Sequence, residues 1–130
     1  MIVSLMVVDD EPDVAKLFQR RFRQELRDGK YVMHFARSGE EALQLLDAGV
    51  EPQVMLILSD INMPGMSGID LVKETKSRWP SLPVAMITAY GDPENRRQAR
   101  EAGAVHILTK PIDFHDLKLK IEEMVRDPGI

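Results

Sequence analysis

The sequence predicts an α/β fold, a three-layer sandwich in which a parallel five-stranded sheet lies between two layers of helices. Three observations carry this. Five short apolar runs, rich in β-branched residues, recur along the chain. Each is followed by a segment whose apolar positions repeat at helical spacing. Acidic residues, serine, glycine and proline punctuate the junctions. Strands alternating with helices make βα units, and right-handed crossovers leave the strands parallel.

Ile2 to Val8 is the first strand, apolar as a strand buried on both faces must be. It stops at Asp9-Asp10-Glu11, and Pro12 sits where a first helical residue tolerates a missing N–H. Val14, Leu17, Phe18, Phe22 and Leu26 predict one helix closing at Asp28-Gly29, with Lys16, Arg20, Arg21 and Arg27 on its wet face. Tyr31 to Ala36 is the second strand. Ser38-Gly39-Glu40-Glu41 reads as a capping box opening a helix with Ala42, Leu45 and Leu46 inside and Gly49 at its end. Val54 to Leu58 is the third strand and runs into Ser59-Asp60. After a Pro64-Gly65 loop, Ser67 to Asp70 is a second capping box, for a helix that Ile69, Leu71 and Val72 lead and Trp79-Pro80 closes. Pro83 to Thr88 is the fourth strand. Asp92-Pro93 opens the fourth helix, which ends at Gly103. Val105 to Leu108 is the fifth strand, and Asp113 caps a last helix carrying Phe114, Leu117, Ile121 and Met124. Asp127-Pro128-Gly129 has nothing further to fold.

With 130 residues, 44% apolar and 29% charged, the chain suits one globular domain over 1–130. Acids outnumber bases 21 to 17, for a net charge of −4, which argues against a surface built to neutralise nucleic-acid backbones. There is no cysteine, so disulfides, thiolate metal sites and thiol nucleophiles are excluded. Apolar stretches are too short for a bilayer, and Met1 to Val8 lacks the basic start of a signal peptide, so the cytoplasm is the expected compartment. No Gly-Lys-Ser/Thr phosphate loop or dinucleotide fingerprint is present, which weakens nucleotide enzymes. His34, His106 and His115 show no metal spacing, and Met63 and Met66 read as gap-fillers. Arg96, Arg97 and Arg100, like the arginines of the first helix, read as solvated faces.

In an open parallel sheet, ligands bind beyond the carboxyl ends of the strands, where the strand order reverses. Here strand one ends in Asp9-Asp10, strand three in Asp60, strand four in Thr88 and strand five in Lys110-Pro111. Under an order of 2-1-3-4-5, three carboxylates converge in one shallow pocket. They would repel unless a cation neutralised them. Oxygen ligands without histidine or cysteine point to Mg²⁺ or Mn²⁺, ions suited to phosphoryl chemistry. Lys110 adds a movable positive charge and Thr88 a hydroxyl donor, so the set reads as a receptacle for a phosphoryl group. Any one of these residues alone would read as a cap or turn residue; together at four strand ends they do not.

Val8-Asp9-Asp10-Glu11, Asp60 to Gly68, Thr88-Ala89 and Thr109-Lys110-Pro111-Ile112 together resemble the receiver domain of two-component response regulators. The resemblance implies a flavodoxin-like (βα)5 fold in which Asp60 accepts a phosphoryl group from a histidine kinase or a histidine phosphotransfer protein. It makes Asp10 and Asp60 direct Mg²⁺ ligands, adds the Asn62 carbonyl as a third, and has Asp9 act mainly through water. Lys110 would pair with phosphoryl oxygens, Thr88 with neighbouring Ala89 would bind one of them, and Lys110-Pro111 would be cis. One position departs from the family's pattern: Ile107 stands where the family places an aromatic residue that turns inward as the threonine moves. Tyr90 is the nearest aromatic and is expected to lean over the phosphoryl group and limit water attack.

The resemblance therefore implies a signalling switch that catalyses only its own phosphorylation and dephosphorylation, altering the surface of the fourth helix, fifth strand and last helix. It implies no direct binding of nucleic acid or membrane by this domain, and it admits a homodimer formed on phosphorylation. Two other readings compete. A phosphatase of the haloacid-dehalogenase type needs a second aspartate two residues after the nucleophile, where this chain has Asn62. A receiver-like interaction module independent of phosphorylation would fail to take up Mg²⁺.

Overall fold

The computed structural model describes residues 2–89 and 92–126. Five parallel strands, β1 (Val3–Val8), β2 (Tyr31–Ala36), β3 (Leu56–Asp60), β4 (Val84–Thr88) and β5 (His106–Thr109), lie in the order β2-β1-β3-β4-β5. The helices between and after them are α1 (Pro12–Arg21), α2 (Arg23–Arg27), α3 (Gly39–Ala48), α4 (Gly68–Arg78), α5 (Pro93–Ala102) and α6 (Phe114–Arg126). This is the flavodoxin-like order that the resemblance implied. Tyr90 and the Asp127-Pro128-Gly129 tail lie outside the described residues.

Alternation along each central strand sorts the core into two halves, as a sheet covered on both faces requires. Leu5, Val7, Leu56, Leu58, Ala85 and Ile87 face Phe18 and Phe22 from the first helical segment, and Leu117, Ile121 and Val125 of α6. Phe114 packs edge-on against Phe18, with ring centroids 5.3 Å apart. On the other face Met6, Val8, Ile57, Val84 and Met86 meet Ala42, Ile69, Leu71, Val72 and Ala99 of α3, α4 and α5. Val125, which the sequence pattern passed over, is buried where Met124 is only partly so.

Four local expectations are corrected. The single first helix is two, because the backbone bends at Phe22 (φ −106°, ψ 16°). The hydrogen-bond chain survives the bend, with Phe22 N–H donating to Phe18 O at 2.9 Å and Leu26 N–H to Phe22 O at 2.8 Å. The bent segment places the Phe22 ring fully inside, 5.3 Å from the Tyr31 ring, while apolar spacing along the chain is unchanged. β3 begins at Leu56 and includes Ser59 and Asp60, so the acidic residue belongs to the strand itself. β5 is shifted one residue, to His106–Thr109. The box at Ser38 is half made: its side chain accepts from Glu41 N–H at 3.0 Å, and no return bond exists among the described residues. The second box is complete, Ser67 and Asp70 each accepting from the other's backbone N–H. Gly49 and Gly103 end α3 and α5 at φ 77° and 106°, the left-handed region where glycine carries no Cβ penalty.

Candidate functional site

Register aligns the strand ends that carry the chemistry. Val8 pairs with Ser59, Asp60 with Ile87 and Thr88 with Thr109, so the residues that follow emerge along one edge. Carboxylate oxygens of Asp9, Asp10 and Asp60 all lie within 4.8 Å of one another. Asp9 and Asp60 are buried, each 8% exposed, and Asp10 is half-buried. Lys110 Nζ stands 3.5 Å from Asp60 Oδ2.

The electrostatics are those of three carboxylates held close together. Burial pushes the Asp9 carboxyl above its ordinary range, and the charges of Asp60 and Asp10 push the same way. The Glu11 N–H, which donates to Asp9 Oδ1 at 3.0 Å, and the Lys110 charge oppose that rise. A donor set of three carboxylates, without nitrogen or sulfur, fits a hard divalent cation that keeps some of its water. Asn62 is exposed in the loop just beyond Asp60, and Ala89 is exposed just beyond Thr88. The Lys110–Pro111 peptide is cis, as the resemblance implied; so is Glu51–Pro52, which nothing in the sequence signalled.

Thr88 is 1% exposed, and its Oγ1 is buried without a hydrogen-bond partner among the described residues. A buried hydroxyl left unpaired costs about 1–3 kcal/mol, which an acceptor placed over the edge would recover. The close fit on the other side of Asp60 is made by Gly68. Its N–H donates to Ile61 O at 2.8 Å, and a Cβ there would lie 2.2 Å from Asp60 O. Only glycine lets α4 start so close behind the acidic strand end.

Not every charged residue takes the place expected of it. Arg97 lies on the outer face of α5, bonded to Glu94 and Glu101, as a solvated residue should. Arg96 does not: its guanidinium turns inward and donates to Thr109 Oγ1. A cavity of about 670 Å³ lies at the other end of the strands, lined by Val54, Arg78, Trp79 and Leu82 among others, and none of the clustered carboxylates reaches it. Among the described residues no helix is long and apolar enough to cross a membrane.

Residues 5–122 match the family model described as the response regulator receiver domain. The chain is 40% identical over 121 residues to the response regulator protein PilR of Pseudomonas aeruginosa, covering 93% of this chain and 26% of that one. It is 32% identical to the response regulator RppA of Synechocystis, covering 95% of this chain and 51% of that one. The chain thus spans a quarter to a half of these relatives. Among solved structures, the receiver domain of NtrX from Brucella abortus superposes with a TM-score of 0.80 at 29% identity, covering 94% of this chain and 98% of that one. A response regulator receiver domain protein from Clostridium thermocellum gives 0.84 at 25% identity, covering 96% and 95%.

Proposed function

Since this chain belongs to the response regulator receiver family, we propose that residues 1–130 form one receiver domain whose Asp60 accepts a phosphoryl group in a Mg²⁺-dependent reaction. The donor is a phosphohistidine of a sensor kinase or phosphotransfer protein. The observation that carries this reading is the convergence of Asp9, Asp10 and Asp60 within 4.8 Å, with the ammonium of Lys110 at 3.5 Å from the central carboxylate.

Asp9, Asp10 and Asp60, with the Asn62 backbone carbonyl, would hold the cation. When bound, Mg²⁺ supplies positive charge that offsets the carboxylates and the incoming phosphoryl oxygens. The Asp60 carboxylate forms the new P–O bond as the P–N bond of the donor breaks, and the imidazole leaves with that electron pair. Lys110 pairs with a phosphoryl oxygen as its charge exchanges one anionic partner for another. Thr88 donates its hydroxyl, unpartnered among the described residues, to a second oxygen. The chain's contribution is in-line placement and charge compensation, so it acts as a switch and turns over no separate substrate. The modified group then biases two arrangements of the α5–β5–α6 surface, by as much as it interacts differently with each.

Incubation with Mg²⁺ and acetyl phosphate, followed by intact mass, tests this. One added phosphoryl group is expected in the parent and none in Asp60→Asn. Omission of Mg²⁺ should abolish uptake in the parent. Uptake that persists in Asp60→Asn, or no uptake at all, overturns the assignment.

A further inference from the structure

Helix α5 is held by less apolar burial than its neighbour. Among the described residues it buries only Ala99, and Ala102 packs half-buried against the same half of the core. α4, its neighbour, buries Gly68, Ile69, Leu71, Val72 and Thr75. With two alanines as its apolar anchorage, α5 gains from a polar tie to the sheet. That tie is the hydrogen bond from Arg96 to Thr109 Oγ1. Among the described residues no carboxylate pairs with Arg96, whereas Arg97 beside it is committed to Glu94 and Glu101.

Thr109 occupies a telling place. It is the direct register partner of Thr88, so in a parallel pair both side chains project from the same face. Val84 and Met86 put that face of β4 toward α4 and α5, and Thr88 follows at the same alternation. Ile107, two residues before Thr109, faces the same way and packs into that half of the core as an aliphatic group with no hydrogen bond to give. Lys110 N–H, next in sequence, donates to Thr88 O at 2.9 Å. The hydroxyls of Thr88 and Thr109 thus lie on neighbouring strands at matched positions, one without a partner among the described residues and the other held by Arg96. A turn of the Thr88 side chain toward an acceptor on Asp60 changes the space beside Thr109, whose hydroxyl the Arg96 guanidinium holds.

We propose that Arg96 is a positioning residue that ties α5 to the phosphoryl-binding edge through Thr109, and that this tie is made in the unmodified protein and released when Thr88 turns inward. The inference rests on the phosphoacceptor reading and adds to it the route by which α5 is informed. Coupling of this kind is reciprocal: what loosens α5 must, by the same factor, favour the group that Thr88 turns to meet.

The experiment compares the parent with Arg96→Ala, Thr109→Val and Thr109→Ser, using beryllofluoride with Mg²⁺ as the phosphoryl mimic. Amide exchange over 93–102 and beryllofluoride affinity are both measured. Removing the tie should raise α5 exchange about fivefold in the unloaded protein, the worth of one ordinary hydrogen bond. Beryllofluoride should raise parent exchange to that same level and add little in Arg96→Ala or Thr109→Val. Both variants should bind beryllofluoride about fivefold more tightly, a gain that a merely structural side chain would not confer. Thr109→Ser, which keeps the hydroxyl, should match the parent. Unchanged affinity in both variants, while exchange across residues 60–66 still responds to beryllofluoride, overturns the role of Arg96 and leaves the phosphoacceptor reading standing. No response to beryllofluoride anywhere, together with no uptake from acetyl phosphate, removes both.

Discussion

The two helices that flank the site on the α3 side of the sheet are built to opposite specifications. α4 begins behind Asp60 with a reciprocal capping box and a glycine wedged against the strand backbone, and it inserts Ile69, Leu71 and Val72 into the core. Side chains of that kind contribute about 1.5–3 kcal/mol each when fully buried. α5 begins beyond Thr88 with Asp92 accepting from Asn95, sets only Ala99 and Ala102 against the core, and commits Glu94, Arg97, Gln98 and Glu101 to exposed bonds with one another. The difference separates two jobs. A carboxylate that must meet a donor in line needs a backbone that does not yield, and a surface that must report the event needs an element whose displacement costs little.

The largest expected effect tests the rigid half. A Cβ at Gly68 would lie 2.2 Å from Asp60 O and 2.8 Å from Ile61 Cα, both backbone atoms that cannot step aside alone. Gly68→Ala should therefore cost about 3 kcal/mol or more in urea unfolding, and phosphoryl uptake on Asp60 should fall with it. A Gly68→Ala protein as stable as the parent would show that the start of α4 is as yielding as α5.

A smaller effect comes from paired truncations. Leu71 is fully buried in α4, and Leu71→Ala should destabilise by about 3 kcal/mol through lost burial and the cavity left behind. Ala99→Gly in α5 removes only a methyl and loosens the backbone, about 1 kcal/mol. The two should also differ in reach. Leu71→Ala lowers global stability, whereas Ala99→Gly chiefly raises amide exchange within 93–102. Equal losses in both assays would erase the distinction between the halves.

The rigid half was the more legible in sequence, and for a physical reason. Capping boxes, strand-end aspartates and apolar periodicity are local signals, so α4, β3 and the convergence of Asp9, Asp10 and Asp60 could be read once the strand order was assumed. The bend at Phe22 leaves apolar spacing intact, and so it escapes a reading by period. Arg96 and Arg97 are chemically identical neighbours on a polar helix. Only their tertiary partners, Thr109 for one and Glu94 with Glu101 for the other, tell a tie from a solvated face. The role of Gly68 was likewise hidden, since a clash with the Asp60 carbonyl is a fact of chain crossing and has no sequence signature.

The smallest effect belongs to the exposed ladder of α5 and carries a definite sign. Hydrogen bonds from Arg97, then from Gln98, hold the Glu94 carboxyl down to about 2, against an ordinary value of 4.5. A carboxylate whose folded value is depressed adds stability above its unfolded value and loses it as pH falls toward the folded one. Protection of α5 amides, corrected for intrinsic exchange, should therefore decline as pH falls from 4.5 to about 2, and Glu94→Gln should remove that part of the decline. Because the group is fully exposed, the effect should be small and should shrink at high salt. Protection of α4 should be indifferent to Glu94→Gln, since its anchorage is apolar burial and a capping box on another segment. A salt-insensitive decline, or one shared by α4, would mean that the ladder helps to hold both helices and that the division of labour between them is less sharp than their burial implies.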